Sequence, residues 1–246
     1  MNILVSGGTG TVGSELVQAL LQKGHNILSL VRESKTSFQT KNLVEINLSN
    51  SNHELYKEIE RFQPEVAIHL AAYLTSSDDF EEIQKVISSN TLFLCRILSL
   101  IKDITPRPTF LYTGSFAEYD SEGKLSPAYF YAASKIAGKA YLNYFSRAYS
   151  IKVINIIPYT IYGGNDKKKK VLDIMVESLN HTEALKMSPG YQQLDFIHIH
   201  DVVSYYVGVA EHHKQIPDHT ELHMGTGKVT SLRDVAKKLE ELTDQT

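Results

Sequence analysis

Tyr131 and Lys135 are the two side chains of this sequence whose types and spacing best suit proton transfer. They are four residues apart at the start of an apolar periodic segment, so in a helix both project from one face. A lone tyrosine is a poor acid or base near neutrality, because its pKa is about 10. A neighbouring ammonium stabilises the phenolate and is expected to lower that pKa. The same spacing also occurs on ordinary helix surfaces, so the pair alone does not establish a site.

Ser115 adds a hydroxyl where a partner for Tyr131 is expected. Residues 109–113 are predicted to form a strand, and Ser115 follows it after Gly114. Parallel α/β sheets bind their ligands beyond the carboxyl ends of their strands. Ser115 is therefore a candidate to hydrogen-bond a substrate oxygen beside Tyr131, and the alternative is a simple turn serine.

Three glycines near the front of the chain indicate a phosphate-binding turn. Gly7, Gly10 and Gly13 lie between an apolar run at 3–5 and a periodic apolar segment at 12–21. Glycine permits positive φ and close backbone approach to a ligand, and the free N–H groups of a new helix attract pyrophosphate. The spacing differs from the usual Gly-x-Gly-x-x-Gly fingerprint. A ligand-free strand–helix turn is therefore the alternative.

Strand and helix patterns alternate along most of the chain. Apolar runs at 25–31, 43–46, 65–70, 109–113 and 152–157 are separated by helical periodicities at 55–62, 80–101 and 131–149. This order predicts an α/β fold with a doubly wound parallel sheet, Rossmann-like, and a ligand beyond the carboxyl ends of its strands. After residue 157 the alternation loosens. We expect residues 1–157 to form a dinucleotide-binding domain and 158–246 a smaller C-terminal substrate-binding region.

Composition argues against several other classes of protein. The formal net charge of -3 gives no nucleic-acid footprint, and the lysine run 167–170 is explained by a solvated loop. No apolar run approaches the length of a membrane span, and no charged leader precedes the first strand. Cys95, the single cysteine, excludes an intramolecular disulfide. We expect a cytoplasmic protein that binds neither nucleic acid nor a membrane. His198 and His200 alternate as on one strand face, but without a third ligand we predict no metal site.

Together, the glycine turn, Ser115, Tyr131 and Lys135 resemble the extended short-chain dehydrogenase/reductase family. More narrowly, they resemble its nucleotide-sugar epimerase, dehydratase and ketoreductase branch, and the resemblance covers nearly the whole chain. The other motifs that carry it are His69-Leu-Ala-Ala72, Pro158-Tyr-Thr-Ile-Tyr-Gly163, Asp195-Phe-Ile-His-Ile-His-Asp201 and His223-Met-Gly-Thr-Gly227.

The resemblance implies a role for each matching residue. Tyr131 would give or take the proton at the sugar, Ser115 would be its hydrogen-bonding partner, and Lys135 would hold the nicotinamide ribose and polarise Tyr131. The positions that match the cofactor site are Gly7, Thr9, Gly10, Thr11, Val12, Gly13, Asn47, Leu48, Leu70, Ala71, Ala72, Thr113, Tyr131, Lys135, Pro158, Tyr159 and Thr160. It also implies a homodimer formed through the helices at 80–101 and 131–149. Relatives usually continue beyond the last predicted helix, so the C-terminal region is expected to be short or incomplete.

Arg32 is the residue that bears on the choice of cofactor. Members that use NAD usually carry an acidic residue at the end of the second strand, where it binds the ribose hydroxyls. Here Val31 occupies that place and Arg32 follows it. An arginine suits a 2′-phosphate, because it makes charge-assisted hydrogen bonds. We therefore predict NADP, with NAD as the alternative.

Two further differences from the family's usual sequence limit the reactions that we expect. Dehydratases of this branch carry an Asp-Glu pair directly after the hydroxyl residue, whereas Phe116-Ala117 follow Ser115 here and Glu118 is displaced. Leu194 stands where the family commonly has an arginine for the substrate phosphates. The leading prediction is reduction of a keto group on a nucleotide-diphosphate deoxysugar, with Tyr131 as general acid. The alternatives are an NAD-dependent nucleotide-sugar epimerase and a non-catalytic cofactor-binding regulatory protein.

Overall fold

The computed structural model describes residues 1–32, 40–164, 169–179 and 187–243. The strands among them are β1 (Asn2–Ser6), β2 (Asn26–Val31), β3 (Leu43–Asn47), β4 (Val66–His69), β5 (Thr109–Thr113), β6 (Val153–Pro158), β7 (Thr160–Tyr162), β8 (Gln193–His198), β9 (Thr220–Met224) and β10 (Val229–Ser231). The α-helices are α1 (Thr11–Gln22), α2 (Asn52–Phe62), α3 (Phe80–Val86), α4 (Phe93–Ile101), α5 (Phe130–Tyr149), α6 (Val171–Ser178), α7 (Ile199–Glu211) and α8 (Leu232–Thr243).

The main sheet of the described residues has seven strands in the order β3-β2-β1-β4-β5-β6-β9. All of its neighbouring strands pair in parallel. The chain runs outwards from β1 to β3 and then returns to place β4 on the other side of β1. Such a reversal opens a crevice at the carboxyl ends of the strands. The predicted doubly wound α/β fold is confirmed.

Apolar side chains cover both faces of this sheet. Along β1, Ile3 and Val5 face the core shared with α1 and α7, whereas Leu4 faces the core shared with α2, α4 and α5. Residues of one strand point alternately to the two faces, so a strand buried on both sides must be apolar throughout. This is why the strands of the front half are readable as continuous apolar runs.

Residues 158–246 contribute to two different sheets. β9 extends the main sheet by pairing in parallel with β6. β7, β8 and β10 form a separate small sheet, in which β8 pairs in parallel with β7 and antiparallel with β10. The sequence did not predict β7 or β10, because three residues are too few to show an alternation.

The long helix expected at 80–101 is interrupted. A π-helical segment, Ile87–Leu92, joins α3 to α4. Asn90 lies in this segment and is almost fully buried. Its amide group bonds both backbone groups of Tyr73 and donates to Ser134 Oγ at 3.0 Å. The irregular turn therefore aims a polar side chain between α5 and the chain that follows β4.

Gly13→Ala tests the packing of the first turn. A Cβ at Gly13 would lie 2.0 Å from the Gly7 carbonyl oxygen, which is backbone and cannot rotate away. We expect a loss of about 1–3 kcal/mol in the free energy of unfolding, as for an overpacked site. Urea denaturation measures it. The matched control is Gly208→Ala in α7, where a Cβ meets nothing within 4 Å. That variant should gain about 0.5–1 kcal/mol, because alanine is the better helix former. Equal stability of Gly13→Ala and the native protein would contradict this account.

Candidate active site

Lys135 is buried beside Tyr131 at the carboxyl end of β5. Both side chains lie on the first turns of α5, and Lys135 is only 1% exposed. Its Nζ donates to the Thr113 carbonyl oxygen at 2.8 Å. The same Nζ lies 5.6 Å from the centre of the Tyr131 ring and 5.1 Å from that of Tyr112. The structure therefore brings the predicted pair together, at a strand end.

Burial controls the charge on Lys135. It lowers the pKa of the ammonium from 10.5 to about 8, although the Glu118 carboxylate opposes the shift. The cause is the loss of hydration around a charged group. Lys135 therefore exchanges its proton within the range in which enzymes usually work.

Tyr131 differs from the sequence-based expectation. The spacing predicted that Lys135 would lower its pKa, but burial raises the pKa of Tyr131, and the nearby Tyr129 and Glu118 raise it further. The Tyr129 ring stacks on it at 5.8 Å with an interplanar angle of 18°. Tyr131 still keeps some contact with solvent. A phenol in this setting retains its proton near neutral pH.

Ser115 lies in the turn that follows β5. It precedes a 3₁₀ turn, Phe116–Glu118, and its Oγ accepts from the Ala117 N–H at 3.3 Å. Its own N–H donates to Glu118 Oε1 at 2.6 Å. Among the described residues its hydroxyl makes no hydrogen bond to Tyr131. The structure thus places Ser115 two residues beyond the carbonyl that binds Lys135.

The glycine turn and the segment after β4 are in contact. Gly7 has φ 82°, and a Cβ there would lie 2.5 Å from the Ala71 backbone nitrogen. Gly10 precedes α1 and, having no side chain, does not cap the helix. A cradle lined by backbone, which any side chain would fill, fits the pyrophosphate of a dinucleotide. The predicted residues of this part are Gly7, Thr9, Gly10, Thr11, Val12, Gly13, Leu70, Ala71 and Ala72.

Arg32, Asn47 and Leu48 lie at the carboxyl ends of β2 and β3, the edge that also carries the glycine turn. The Arg32 side chain is exposed. Leu48 N–H donates to the Val31 carbonyl at 2.8 Å, and Asn47 Oδ1 accepts from the Ser49 N–H. Residues 33–39, which follow Arg32, lie outside the described residues. The predicted ribose-end residues are thus gathered on one side of the turn.

Arg96 is a residue of this region that the sequence did not single out. It lies on α4 and donates to the Leu48 and Asn50 carbonyl oxygens at 2.9 and 3.0 Å. Its Nε also donates to Asn52 Oδ1 at 2.7 Å. An arginine with several donors in one plane can hold a loop in this way. No sequence pattern near Arg96 predicts this contact with the loop after β3.

The other predicted cofactor residues follow β5 and β6. Thr113 Oγ1 shares a hydrogen bond of 2.7 Å with the Tyr206 hydroxyl. Pro158 ends β6, Thr160 begins β7, and Tyr159 lies between them. The Tyr159 ring stacks on Phe116 at 5.8 Å with an interplanar angle of 13°. The residue after Ser115 therefore forms an aromatic wall with the end of β6.

The two histidines considered as a metal pair do not share a strand face. His198 ends β8, but His200 belongs to α7. His198 Nδ1 accepts from the His200 N–H at 3.3 Å and so caps the helix. In the described part of the chain, no group of three His, Cys, Asp or Glu side chains is placed to hold a metal ion. Likewise, none of the helices described here is both long and apolar enough to cross a membrane.

Lys135→Met tests the buried ammonium. Between pH 8 and 10.5 the unfolded chain binds more protons at this lysine than the folded protein, so the native free energy of unfolding rises with pH. We expect the native protein to gain about 2 kcal/mol relative to Lys135→Met between about pH 7.5 and 9.5. Denaturant unfolding at several pH values measures it. The control is Lys57→Met at an exposed position on α2. If the free energy of unfolding varied with pH in the same way in the native protein and in Lys135→Met, the lowered pKa of Lys135 would be refuted.

Comparisons with known proteins agree with this fold. The model of the NAD dependent epimerase/dehydratase family matches residues 3–225. A CDP-abequose synthase of Yersinia pseudotuberculosis is 26% identical, over 99% of this chain and 85% of its own. A UDP-glucose 4-epimerase of Mycolicibacterium smegmatis is 28% identical, over 96% of this chain and 80% of its own.

Solved structures show the same fold. The UDP-glucose 4-epimerase of Thermotoga maritima with UDP-glucose has a TM-score of 0.85 and 22% identity, over 100% of this chain and 83% of its own. The UDP-glucose 4-epimerase of Thermus thermophilus in complex with NAD has a TM-score of 0.82 and 19% identity, over 100% and 84%. The resemblance inferred from the sequence is confirmed, and the chain belongs to the NAD dependent epimerase/dehydratase family of extended short-chain dehydrogenases/reductases.

Proposed function

We propose that this enzyme is an NADPH-dependent reductase of a keto group on a nucleotide-diphosphate deoxysugar, with Tyr131 as general acid. The observation that carries the proposal is the state of Tyr131. Burial raises its pKa while Lys135 lies against its ring. A phenol that keeps its proton can give it to the oxygen of a carbonyl as that carbonyl is reduced, because the alkoxide that develops is a stronger base than a phenolate. An epimerase must first remove a proton from a sugar hydroxyl, a step that this environment disfavours.

The cofactor would be held by the glycine turn, the segment 70–72, the loop after β3 and the end of β6. The fit rests on the backbone cradle at Gly7 and Gly13, where a Cβ would collide with the chain. When bound, the cofactor supplies the hydride that reduces the carbonyl carbon.

The protein's own residues then have separate tasks. Tyr131 donates its hydroxyl proton to the substrate oxygen. Lys135 keeps a positive charge beside the phenolate that remains and so stabilises it. Ser115 hydrogen-bonds the same oxygen and orients it. Phe116 and Tyr159 form the stacked wall beside this position and exclude water from it.

Dehydration is disfavoured by the position of Glu118. This carboxylate is 0% exposed, accepts from the Ser115 N–H and lies 2.8 Å from Lys139 Nζ. It cannot reach a sugar without breaking an ion pair in the protein interior. Phe116, at the place of the first acidic residue in dehydratases, has no acid–base capacity. Reduction needs only one proton donor and fits the groups present.

The relatives support the substrate class. Three of them, 26% to 27% identical, are CDP-abequose synthases, and others are UDP-glucose and UDP-glucuronate 4-epimerases. This supports a nucleotide-diphosphate sugar as the substrate here. Residues 158–246 would form most of its binding region, beside the carboxyl ends of β5 and β6.

The second candidate function is an NAD-dependent nucleotide-sugar epimerase. It is favoured by the UDP-glucose 4-epimerase of Mycolicibacterium smegmatis, which is 28% identical, and by neighbouring structures in complex with NAD. A non-catalytic cofactor-binding regulatory protein is a third reading. It gives no reason for Ser115, Tyr131 and Lys135 to be kept together at one strand end.

The proposal also includes the oligomeric state and location of the protein, which we propose to be a homodimer in the cytoplasm. Several large apolar side chains of α3, α5 and the π-helical segment are exposed, and a helix-to-helix dimer would cover them. They are Phe80, Ile87, Leu92, Tyr141 and Tyr144. The single cysteine of the sequence suits a reducing compartment.

Tyr131→Phe tests the general acid. We expect turnover to fall at least about 100-fold, because the proton donor is lost while the ring and its packing remain. NADPH oxidation is followed with a panel of nucleotide-diphosphate keto-deoxysugars, and cofactor affinity, measured by titration, should stay nearly unchanged. Tyr56→Phe on α2 removes a hydroxyl that donates to Glu60 and serves as the control. Unchanged turnover in Tyr131→Phe would exclude the assigned role. NAD that survives purification, with no net oxidation of NADPH, would favour the epimerase.

Arg32→Ala tests the preference for NADP. We expect NADP to raise the thermal stability of the native protein more than NAD does at equal concentration, since a ligand that binds the folded state stabilises it. Loss of Arg32 should cost about tenfold in affinity for NADP and leave the affinity for NAD unchanged, because a charged hydrogen bond to the 2′-phosphate is removed. Arg147→Ala, at an exposed position near the end of α5, is the control. An equal response of the native protein to both cofactors would contradict the preference.

A further inference from the structure

We propose that Glu118 and Lys139 are positioning residues for the reaction at Tyr131: the ion pair between the buried Glu118 and the partly buried Lys139 fixes the backbone of Ser115 to the helix that carries Lys135. The inference rests on the proposed function, since it concerns the same site. It assigns a task to two residues that touch neither the substrate nor the cofactor.

Glu118 connects the Ser115 turn to α5 through two short contacts. Its side chain is 0% exposed. Oε1 accepts from the Ser115 N–H at 2.6 Å, and Oε2 lies 2.8 Å from Lys139 Nζ. A hydrogen bond to an ionised group is shorter and stronger than one between neutral groups. The turn therefore cannot move relative to the helix without breaking a charge-assisted contact.

The two lysines of α5 hold neighbouring points of the same strand end. Lys139 follows Lys135 by four residues, so the two side chains lie on one face of the helix. Lys135 donates directly to the Thr113 carbonyl at 2.8 Å. Lys139 acts on Ser115 through Glu118. The backbone on both sides of Gly114 is thus held by the helix that presents Tyr131.

Gly114 shows how closely the carboxylate approaches this backbone. A Cβ at Gly114 would lie 2.7 Å from Glu118 Oε1 and 2.5 Å from Ile157 Cδ1. The carboxylate therefore packs against the main chain between Thr113 and Ser115. Such contact limits the conformations of the turn as well as its distance from α5.

Lys139 is itself held from the opposite side. Its Nζ lies 2.7 Å from Glu221 Oε1 of β9. Glu221 also accepts from the Tyr119 hydroxyl at 2.7 Å and from Asn155 Nδ2 at 2.9 Å. These partners prevent the ammonium from following Glu118 if the turn shifts. The ion pair of Glu118 and Lys139 is therefore anchored to β6 and β9.

The negative charge of Glu118 also acts on the proton-transfer pair. It raises the pKa of Lys135, against burial, and adds to the rise in the pKa of Tyr131. The titratable or charged groups near Lys135 on the elements packed around it are Tyr131 and Lys139 of α5, Tyr112 of β5, His69 of β4 and Glu118. Of these, Glu118 brings the only carboxylate in the described residues that faces Lys135, so it helps Lys135 to stay charged.

Stability alone does not explain such a pair. A buried ion pair loses hydration on both sides, and replacement by apolar residues of similar size is often neutral or stabilising. The charges here fix a backbone N–H and influence two titrating groups, which apolar side chains would not do. A positioning role accounts for both features.

Glu118→Gln is the first test, since glutamine keeps the shape and an acceptor for Ser115 but loses the charge. We expect kcat to fall about tenfold, with the KM for cofactor within about twofold, because the ion pair is lost and binding contacts are not. The high-pH limb of the kcat profile should move to lower pH, since removal of the carboxylate lowers the pKa of both Lys135 and Tyr131. Glu122→Gln, which removes an exposed carboxylate paired with Lys124, is the control.

Three further variants complete the experiment. Lys139→Arg keeps the charge and should retain most of the activity, whereas Lys139→Gln should match Glu118→Gln. The double variant Glu118→Gln/Lys139→Gln leaves no unpaired charge between these two positions, and the same loss of kcat there supports the inference even if Glu118→Gln fails to fold. The inference would be overturned if Glu118→Gln had the same kcat and the same pH profile as Glu122→Gln. It would also be overturned if both Glu118→Gln and the double variant failed to fold.

Tyr131→Phe, assayed in parallel, distinguishes failure of this inference from failure of the proposed function. Activity in Tyr131→Phe refutes the proposed function. An inactive Tyr131→Phe beside a Glu118→Gln variant of normal activity refutes only this inference.

Discussion

The hydrogen bond from the Lys135 ammonium to the Thr113 carbonyl joins α5 to the carboxyl end of β5, and the candidate active site is arranged around it. An ammonium without water is costly unless its donors are satisfied. The last carbonyl of β5 satisfies one of them and faces α5 because the strand ends there. Tyr131, one turn earlier on the helix, is then necessarily beside the same strand end. The position of Tyr131, the proposed proton donor, thus follows from where a buried lysine can find an acceptor.

The two halves of the site are built by different physical means. The half predicted to hold the cofactor depends on backbone shape, because Gly7 and Gly13 lie so close to other main-chain atoms that no side chain fits. The other half depends on burial and charge, which raise the pKa of Tyr131 and lower that of Lys135 to about 8. Both halves meet at the carboxyl ends of parallel strands, where the reversal at β1 opens the crevice.

The charge network around Lys139 ties the C-terminal part of the chain to this site. Glu221 lies on β9, which pairs with β6 although more than sixty residues separate the two strands in sequence. Glu221 contacts Lys139, Lys139 contacts Glu118, and Glu118 accepts from the Ser115 N–H. The C-terminal part of the chain therefore contributes to the candidate site, because β9 supports the turn that carries the serine.

The sequence by itself determined the alternating α/β order, the glycine turn and the helical spacing of Tyr131 and Lys135, because each is a local property of neighbouring residues. Strands buried on both faces read as apolar runs, and only glycine suits the first turn. Only the tertiary structure decided the rest. The rise in the pKa of Tyr131, opposite to the expected direction, comes from burial by distant segments. Glu118, displaced in the sequence pattern, has Lys139 of α5 as its partner, and Lys139 in turn contacts Glu221 of β9. No local pattern encodes the contact between Lys139 and Glu221, which are far apart in sequence. The short strands β7 and β10 exist only because β8 pairs with them.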